Sequence, residues 1–292
     1  MKNSAKIGNI VRKEKKINIQ TWRFNMNVFS IGNGEKGIEL TTDNFVEKTR
    51  KSFPFYQDPK KYKKPYFAIC PECNNPIQII NLYGAKYEEE NTGKVAIHGR
   101  HFPHNVKGLP DYNKDKYDNC PLHNPIAFHI VEIRNDTTYN EEILEIVKEN
   151  KNAIARDIRE ITGVLLKNEK AFKIIDDYII ANDYCYTHTN KYNIPYSILY
   201  TREAPSLFGQ RIAETPLGMR IKNAIATESQ LFQINEGRIV KKGDEFANII
   251  LRISNHRMRD KKQYMTMIIE EEHKPNVSII FQEDIELKQY AY

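Results

Sequence analysis

Cysteine and histidine set the first constraint on this chain. Three of its four cysteines and four of its eight histidines fall between Cys70 and His123. Residues 65–135 are rich in Cys, His, Pro and Tyr and poor in large aliphatics, so a core built there needs a staple. Cys70-Pro-Glu-Cys73 supplies a knuckle in which two thiolates reach one tetrahedral ion, with Pro71 suited to the tight turn. After a gap of 46 residues, Cys120-Pro-Leu-His123 supplies a second pair that would tie two distant stretches together. Cys70, Cys73 and Cys120 are the firm ligands, and His104, His101 and His123 compete for the fourth position. A shell this rich in thiolate favours one structural zinc over a catalytic ion with an open position.

The remaining composition narrows the class. Of 292 residues, 40% are hydrophobic and 28% charged, which suits a packed core and argues against wholesale disorder. Mean hydropathy is −0.64, and no apolar run approaches the roughly 18 residues of a spanning helix. A membrane protein is excluded. Met1 to Ile19 is basic without the apolar stretch of a secretory signal, so a reducing, cytoplasmic setting is expected.

Charge is distributed unevenly. Up to Lys64 there are 12 Lys and 3 Arg against 6 acids, a net of +9 in a chain whose total is +6. Lys2, Lys6, Arg12, Lys13, Lys15 and Lys16 form one basic cluster. Lys48, Arg50, Lys51, Lys60, Lys61, Lys63 and Lys64 form a second, interleaved with Phe53, Phe55, Tyr56 and Tyr62. Cations that neutralise phosphates and rings that stack on bases are the two components of a nucleic-acid site. The competing account is a solubilising tail and a linker whose aromatics pack inward. A third basic run, Arg252 to Lys262, sits between two strand-like segments and reads as a loop tip on which Arg252, Arg257 and Arg259 would meet phosphate.

Four segments are expected. Residues 1–64 hold short strands at Ile17–Arg23 and Asn27–Ile31 and a Gly-rich turn at Gly32–Gly37. Residues 65–135 form the metal module, with an irregular stretch from Gly108 to Asn119. Residues 136–190 are helical. Ile143, Leu144, Ile146 and Val147 mark one helix, Ile154, Ile158 and Ile161 a second, and Phe172, Ile175, Tyr178 and Ile179 a third beyond Gly163. Residues 191–292 read as β-rich, with strands at Tyr196–Tyr200, Ala247–Ile253, Tyr264–Ile269 and Val277–Phe281 in an antiparallel sheet or small barrel. The class is α+β.

Weaker motifs compete for chemistry. Ala153–Thr162 and Asn168–Ala181 around Gly163 resemble a helix-turn-helix with Tyr184–Thr201 as wing, though Glu169, Asp176 and Asp177 offset its lysines. Asp260, Glu272 and Lys274 could form an Asp…Glu-x-Lys set around Mg²⁺, or simply a charged turn before Pro275. Cys185 and His188 read as a packed thiol beside a surface imidazole. No phosphate loop, nucleophile elbow or His-Glu-x-x-His helix occurs, so the balance leans toward binding rather than catalysis.

In order, Phe67-Ala-Ile-Cys-Pro-Glu-Cys73, His101-Phe-Pro-His104 and Cys120-Pro-Leu122 resemble the N-terminal zinc module of competence protein CoiA-like proteins, over about residues 65–125. The resemblance implies zinc on Cys70, Cys73, His104 and Cys120 with His101 in support, and a bacterial DNA-processing or phage-defence setting. Many such proteins continue into a nuclease domain through an acidic-His-Lys helix, where this chain has Asn124–Asn135, which reads as a strand. The expected function is therefore a zinc-stabilised nucleic-acid-associated binding or assembly protein with a possible protein partner. A metal-dependent nuclease and a subunit that docks an acidic protein are the alternatives.

Overall fold

The computed structural model describes residues 25–84, 96–203, 206–260 and 262–292. The basic cluster at Lys2–Lys16 and the strand expected over Ile17–Arg23 lie outside the described residues. The class is α+β as expected, with seven α-helices and twelve antiparallel strands among the described residues.

Apolar side chains gather into two cores. The first is built from β1 (Val28–Phe29), β2 (Ile38–Glu39), α1 (Thr42–Thr49) and the antiparallel sheet β3 (Phe67–Ile69), β4 (Pro76–Ile80) and β5 (His98–His101). Met26, Phe29, Phe45, Ile77 and Ile79 are buried at its centre. Backbone bonds weave the early strands into the later sheet: Met26 bridges Gly99, and Ser30 exchanges bonds with Ile69 at 2.9 and 3.0 Å. The stretch from Gly108 to Asn119 is not wholly irregular. It contains α2 (Lys114–Asp118), started by Asn113, whose side chain accepts from Lys116 N. An Asn at that position satisfies an otherwise orphaned helix N–H.

The second core joins the helices to the C-terminal strands. Helices α3 (Thr137–Glu149), α4 (Lys151–Thr162) and α5 (Asn168–Ile180) bury Ile143 and Val147, Ile154, Ile158 and Ile161, and Ile175 and Tyr178, the faces marked by the 3.6-residue period. Helix α4 ends at Gly163, whose φ of 66° is the left-handed cap that glycine adopts without strain. Tyr196–Tyr200 is not a strand. It lies in α6 (Ile194–Thr201), buried nearly all round, where periodicity cannot separate helix from strand and Pro195 pre-sets the first turn.

A small sheet of order β6-β7-β9-β8 follows, from Val164–Leu165, Arg211–Ile212, Phe232–Asn235 (β8) and Arg238–Lys241 (β9). The long meander β10 (Asn248–Arg259), β11 (Lys262–His273) and β12 (Asn276–Glu286) pairs Leu251 with Ile269 and Ile253 with Met267 on its buried face. Residues 124–135 form no strand. Their pairing reduces to a bridge between Ile133 and Tyr186, because the chain opposite tightens into a 3-10 turn over Asp183–Cys185 and offers no continuous edge.

The C-terminal segment ties the two cores together. Asn27 N and Nδ2 donate to Gln289 Oε1 and O at 2.7 and 2.8 Å, and Gln289 N returns a bond to Asn27 Oδ1. Tyr290 N donates to the carbonyl of Tyr192, a side chain buried in the first core. No described helix is long and apolar enough to cross a membrane.

One glycine is fixed by close approach. Gly218 lies in the first turn of α7 (Pro216–Glu228), and a Cβ there would fall 2.0 Å from the Ala213 carbonyl oxygen. Helix propensity alone favours Gly→Ala by ~1 kcal/mol. Here the backbone must move instead, so Gly218→Ala is expected to destabilise by about 1–3 kcal/mol in urea unfolding. An unchanged or raised midpoint would contradict it.

Candidate metal centre

Three separate backbone devices converge on one point. Cys70 follows β3 and Cys73 closes the turn into β4, a knuckle locked by Cys70 N donating to Asn75 O and Asn74 N donating to Cys70 O. His101 is the last residue of β5 and pairs in register with Ile77 beside the knuckle. Cys120 follows α2, with its N–H on Tyr117 O and its carbonyl accepting from His123 N and Asn124 N.

Cys70, Cys73, His101 and Cys120 are all buried, and their ligand atoms lie within 4.8 Å of one another. Cys70 Sγ is 3.7 Å from Cys120 Sγ, far beyond a disulfide bond, and Cys73 Sγ is 3.3 Å from His101 Nε2. A tetrahedral ion at ordinary zinc distances would set S···S at about 3.8 Å and S···N at about 3.6 Å. The four side chains could therefore bind one metal ion with little rearrangement.

The electrostatics fit that occupancy. The Cys73 thiol is pushed far down by hydrogen bonds from Cys120 and Cys70 and by His101, against the opposing effect of burial. Burial drives Cys70 and Cys120 upward. Burial and crowding thus oppose ionising all three thiols together. A dication at the centre reverses the balance, because a coordinated thiol is deprotonated outright.

Of the histidines in contention, His101 enters the cluster. His104 is exposed, its ring against Phe102, so the ligand set implied by the family resemblance changes at that one position. His123 is buried and packs on Tyr117 with centroids 3.8 Å apart, while the His101 ring meets Tyr117 and His123 at 5.6 and 5.3 Å. Asn75 is a contributor that sequence reasoning missed. Its Nδ2 donates to Cys73 Sγ at 3.3 Å and to Asn113 O, and its Oδ1 accepts from Asn113 N, which joins the knuckle to the start of α2. Asparagine after a Cys-x2-Cys turn carries no spacing signal of its own.

The basic candidates divide sharply. Lys60, Lys61, Lys63 and Lys64 are exposed on a turn in which Asp58 accepts from the Lys60, Lys61 and Tyr62 N–H groups. None of the four joins an ion pair among the described residues. The run Arg252–Lys262 is not a loop tip: it occupies the end of β10 and the short turn into β11. Arg252 pairs with Glu270 at 2.8 Å and Glu272 at 3.5 Å, Arg257 pairs with Asp284, and Arg259 lies 4.6 Å over the Tyr264 ring and 4.0 Å from Asp260. Acids already answer these arginines.

Other sequence candidates do not assemble. Asp260 sits at the turn where Arg259 pairs with Lys262, whereas Glu272 pairs with Asn248 at the opposite end of the hairpin, roughly 35 Å away for a ladder of this length. Helices α4 and α5 are present, but the expected wing is a 3-10 turn and α6. Lys173 pairs with Asp177 and Lys151 with Asp176. His188 is not a surface imidazole: it is 2% exposed, ringed by Phe128, Tyr186 and Tyr200.

No family model, curated protein or solved structure matches the chain. The site itself must carry the functional reading.

Proposed function

We propose that this chain is a zinc-stapled binding protein that holds nucleic acid on the cationic face of its first core. One observation carries the reading. Among the described residues, Lys60, Lys61, Lys63 and Lys64 stand exposed without carboxylate partners, whereas Arg252 and Arg257 are matched to acids across the β-meander. A cation already paired gives up that partner to bind phosphate, while an unpaired one only releases the counterions it displaces from the strand. Zinc is the favoured ion because a closed, buried shell of three thiolates and one imidazole suits its softness and tetrahedral preference. The metal's role is then to fix the fold that displays the lysines.

The test is a salt series of oligonucleotide binding by the full chain. Replacing all four lysines with alanine is expected to weaken binding at least tenfold and to lower the slope of log affinity against log salt by about 3, near 0.7–0.9 for each phosphate no longer neutralised. Arg252→Ala with Arg257→Ala is expected to leave that slope nearly unchanged. Equal losses from the two sets, or no salt dependence, would refute the assignment. Salt-sensitive capture of poly-glutamate with none of nucleic acid would point to an acidic protein partner instead.

A further inference from the structure

The second basic cluster carries four aromatic residues, and the structure turns three of them inward. Tyr56 packs against Phe45 and Tyr66, Tyr62 packs edge-on against Phe67 at 4.9 Å, and Phe55 lines the same core. Phe53 is the exception, 56% exposed. Its ring is nonetheless seated. Gly108, at φ 84°, packs closely against it, and a Cβ there would lie 2.7 Å from Phe53 Cε1 and Cζ and 2.8 Å from Pro54 Cβ. Gln57 holds that seat, its Nε2 donating to Pro54 O at 2.7 Å and to Lys107 O at 2.9 Å.

Cations flank the ring in sequence. Arg50 and Lys51 precede it, both with left-handed backbone, and Lys107 adjoins its glycine seat. All three are exposed, and none is in an ion pair among the described residues. Between Lys48 and Lys64 the sequence has seven cations and one acid, Asp58, which is turned to the Lys60 N–H. Cations alone serve a duplex or a single strand equally. An exposed ring on a fixed seat adds something only where a base face is free, because stacked and paired bases present their edges.

Resting on the nucleic-acid reading above, we infer that Phe53 is a base-stacking platform and that the favoured ligand is an unpaired strand. Its phosphates run past Arg50, Lys51 and Lys107, and one base lies on the open face of the ring. Stacking on an aromatic side chain is sequence-tolerant, so recognition is of strandedness and not of a base order.

The experiment measures fluorescence anisotropy of the full chain with labelled oligo-dT and with a hairpin duplex of equal phosphate number. Phe53→Ala is expected to weaken oligo-dT binding by roughly 5- to 100-fold, as loss of one stacked base does, with duplex affinity and both salt slopes unchanged. Phe53→Trp is expected to restore it. Phe246→Ala, which removes an exposed ring under Lys241 and beside Asp244 and Glu245, is the control for an aromatic outside the Lys48–Lys64 cluster and should change neither affinity. Melting curves of the variants establish that each is folded. If Phe53→Ala leaves oligo-dT binding intact, weakens both ligands alike, or is matched by Phe246→Ala, the platform is refuted while lysine-dependent binding stands. If the wild type binds neither ligand, the nucleic-acid reading falls as well. Equal Phe53-dependence of poly-glutamate binding would make the surface an acidic-protein dock and overturn the proposal.

Discussion

With the proposed zinc in the Cys70, Cys73, His101 and Cys120 cluster, a chelator is expected to unfold the first core at room temperature and to leave only the second core to melt on heating. Structural zinc contributes about 10–16 kcal/mol in finger-sized folds. That equals or exceeds the roughly 5–15 kcal/mol that holds a whole domain folded. Here the ligands come from the β3–β4 knuckle, the end of β5 and the residue after α2, so no single element keeps its place when the ion leaves. The second core contains none of these ligands and is expected to keep its helical circular dichroism. Cys70→Ser should act as chelation does, because a hydroxyl is a poor fourth ligand at a fully buried position. The histidines give the sharper result. Metal analysis of the purified chain is expected to give about one equivalent of the proposed zinc, lost in His101→Ala and retained in His104→Ala. Retention in His101→Ala, or a single unchanged melt after chelation, would refute this assignment.

The legible part of the molecule is the part that obeys one period or one spacing. Ile143 with Val147, and Ile154 with Ile158, recur at four residues on half-buried helices, and the Cys-x2-Cys knuckle fixes two ligands by local geometry alone. Where burial is nearly complete, the period disappears. Ile194–Thr201 is apolar on every side, so its aromatic and β-branched residues imitated a strand. The choice between His101 and His104 was hidden for another reason. β5 ends at His101, which its register opposite Ile77 brings beside the knuckle, and the chain then turns, His104 N donating to Phe102 O at 2.8 Å, so that His104 lies beyond the sheet. The arginines of β10 show the same limit. Their partners Glu270, Glu272 and Asp284 lie on strands β11 and β12, so a run that is cationic in sequence is neutralised by its neighbours in the sheet. Among the described residues, Lys60, Lys61, Lys63 and Lys64 meet no such acid, because they lie on a surface turn and not within a sheet.

Acidification is expected to destabilise the second core between pH 6.5 and 4, and His188 is the cause. Its Nδ1 carries the proton, since the His129 carbonyl at 2.9 Å can only accept, and Nε2 accepts from Ser197 Oγ at 3.4 Å. Phe128 and Tyr186 flank the ring at 4.5 and 5.6 Å. Burial lowers its pKa from 6.5 to about 4, opposed by the His129 carbonyl and reinforced by the charges of His129, Arg134 and His256. His256, which accepts from Phe128 N and donates to Gln263 Oε1, is lowered by burial in the same direction. The unfolded chain thus binds a proton that the folded chain refuses. Stability is full above pH 6.5, falls as pH drops through that value, and stops falling below about 4. For His188 alone the loss is about 3 kcal/mol. Acid also releases a thiolate-bound metal, so the informative quantity is the difference between two chains. His188→Phe keeps the ring and leaves the His129 carbonyl without its donor. It should be less stable than wild type at pH 7.5 and yet lose less stability on titration to pH 4, read from urea midpoints at each pH. Parallel pH profiles for the two proteins would show that His188 takes up its proton as readily in the folded chain as in the unfolded one, and that its burial is not the source of acid sensitivity.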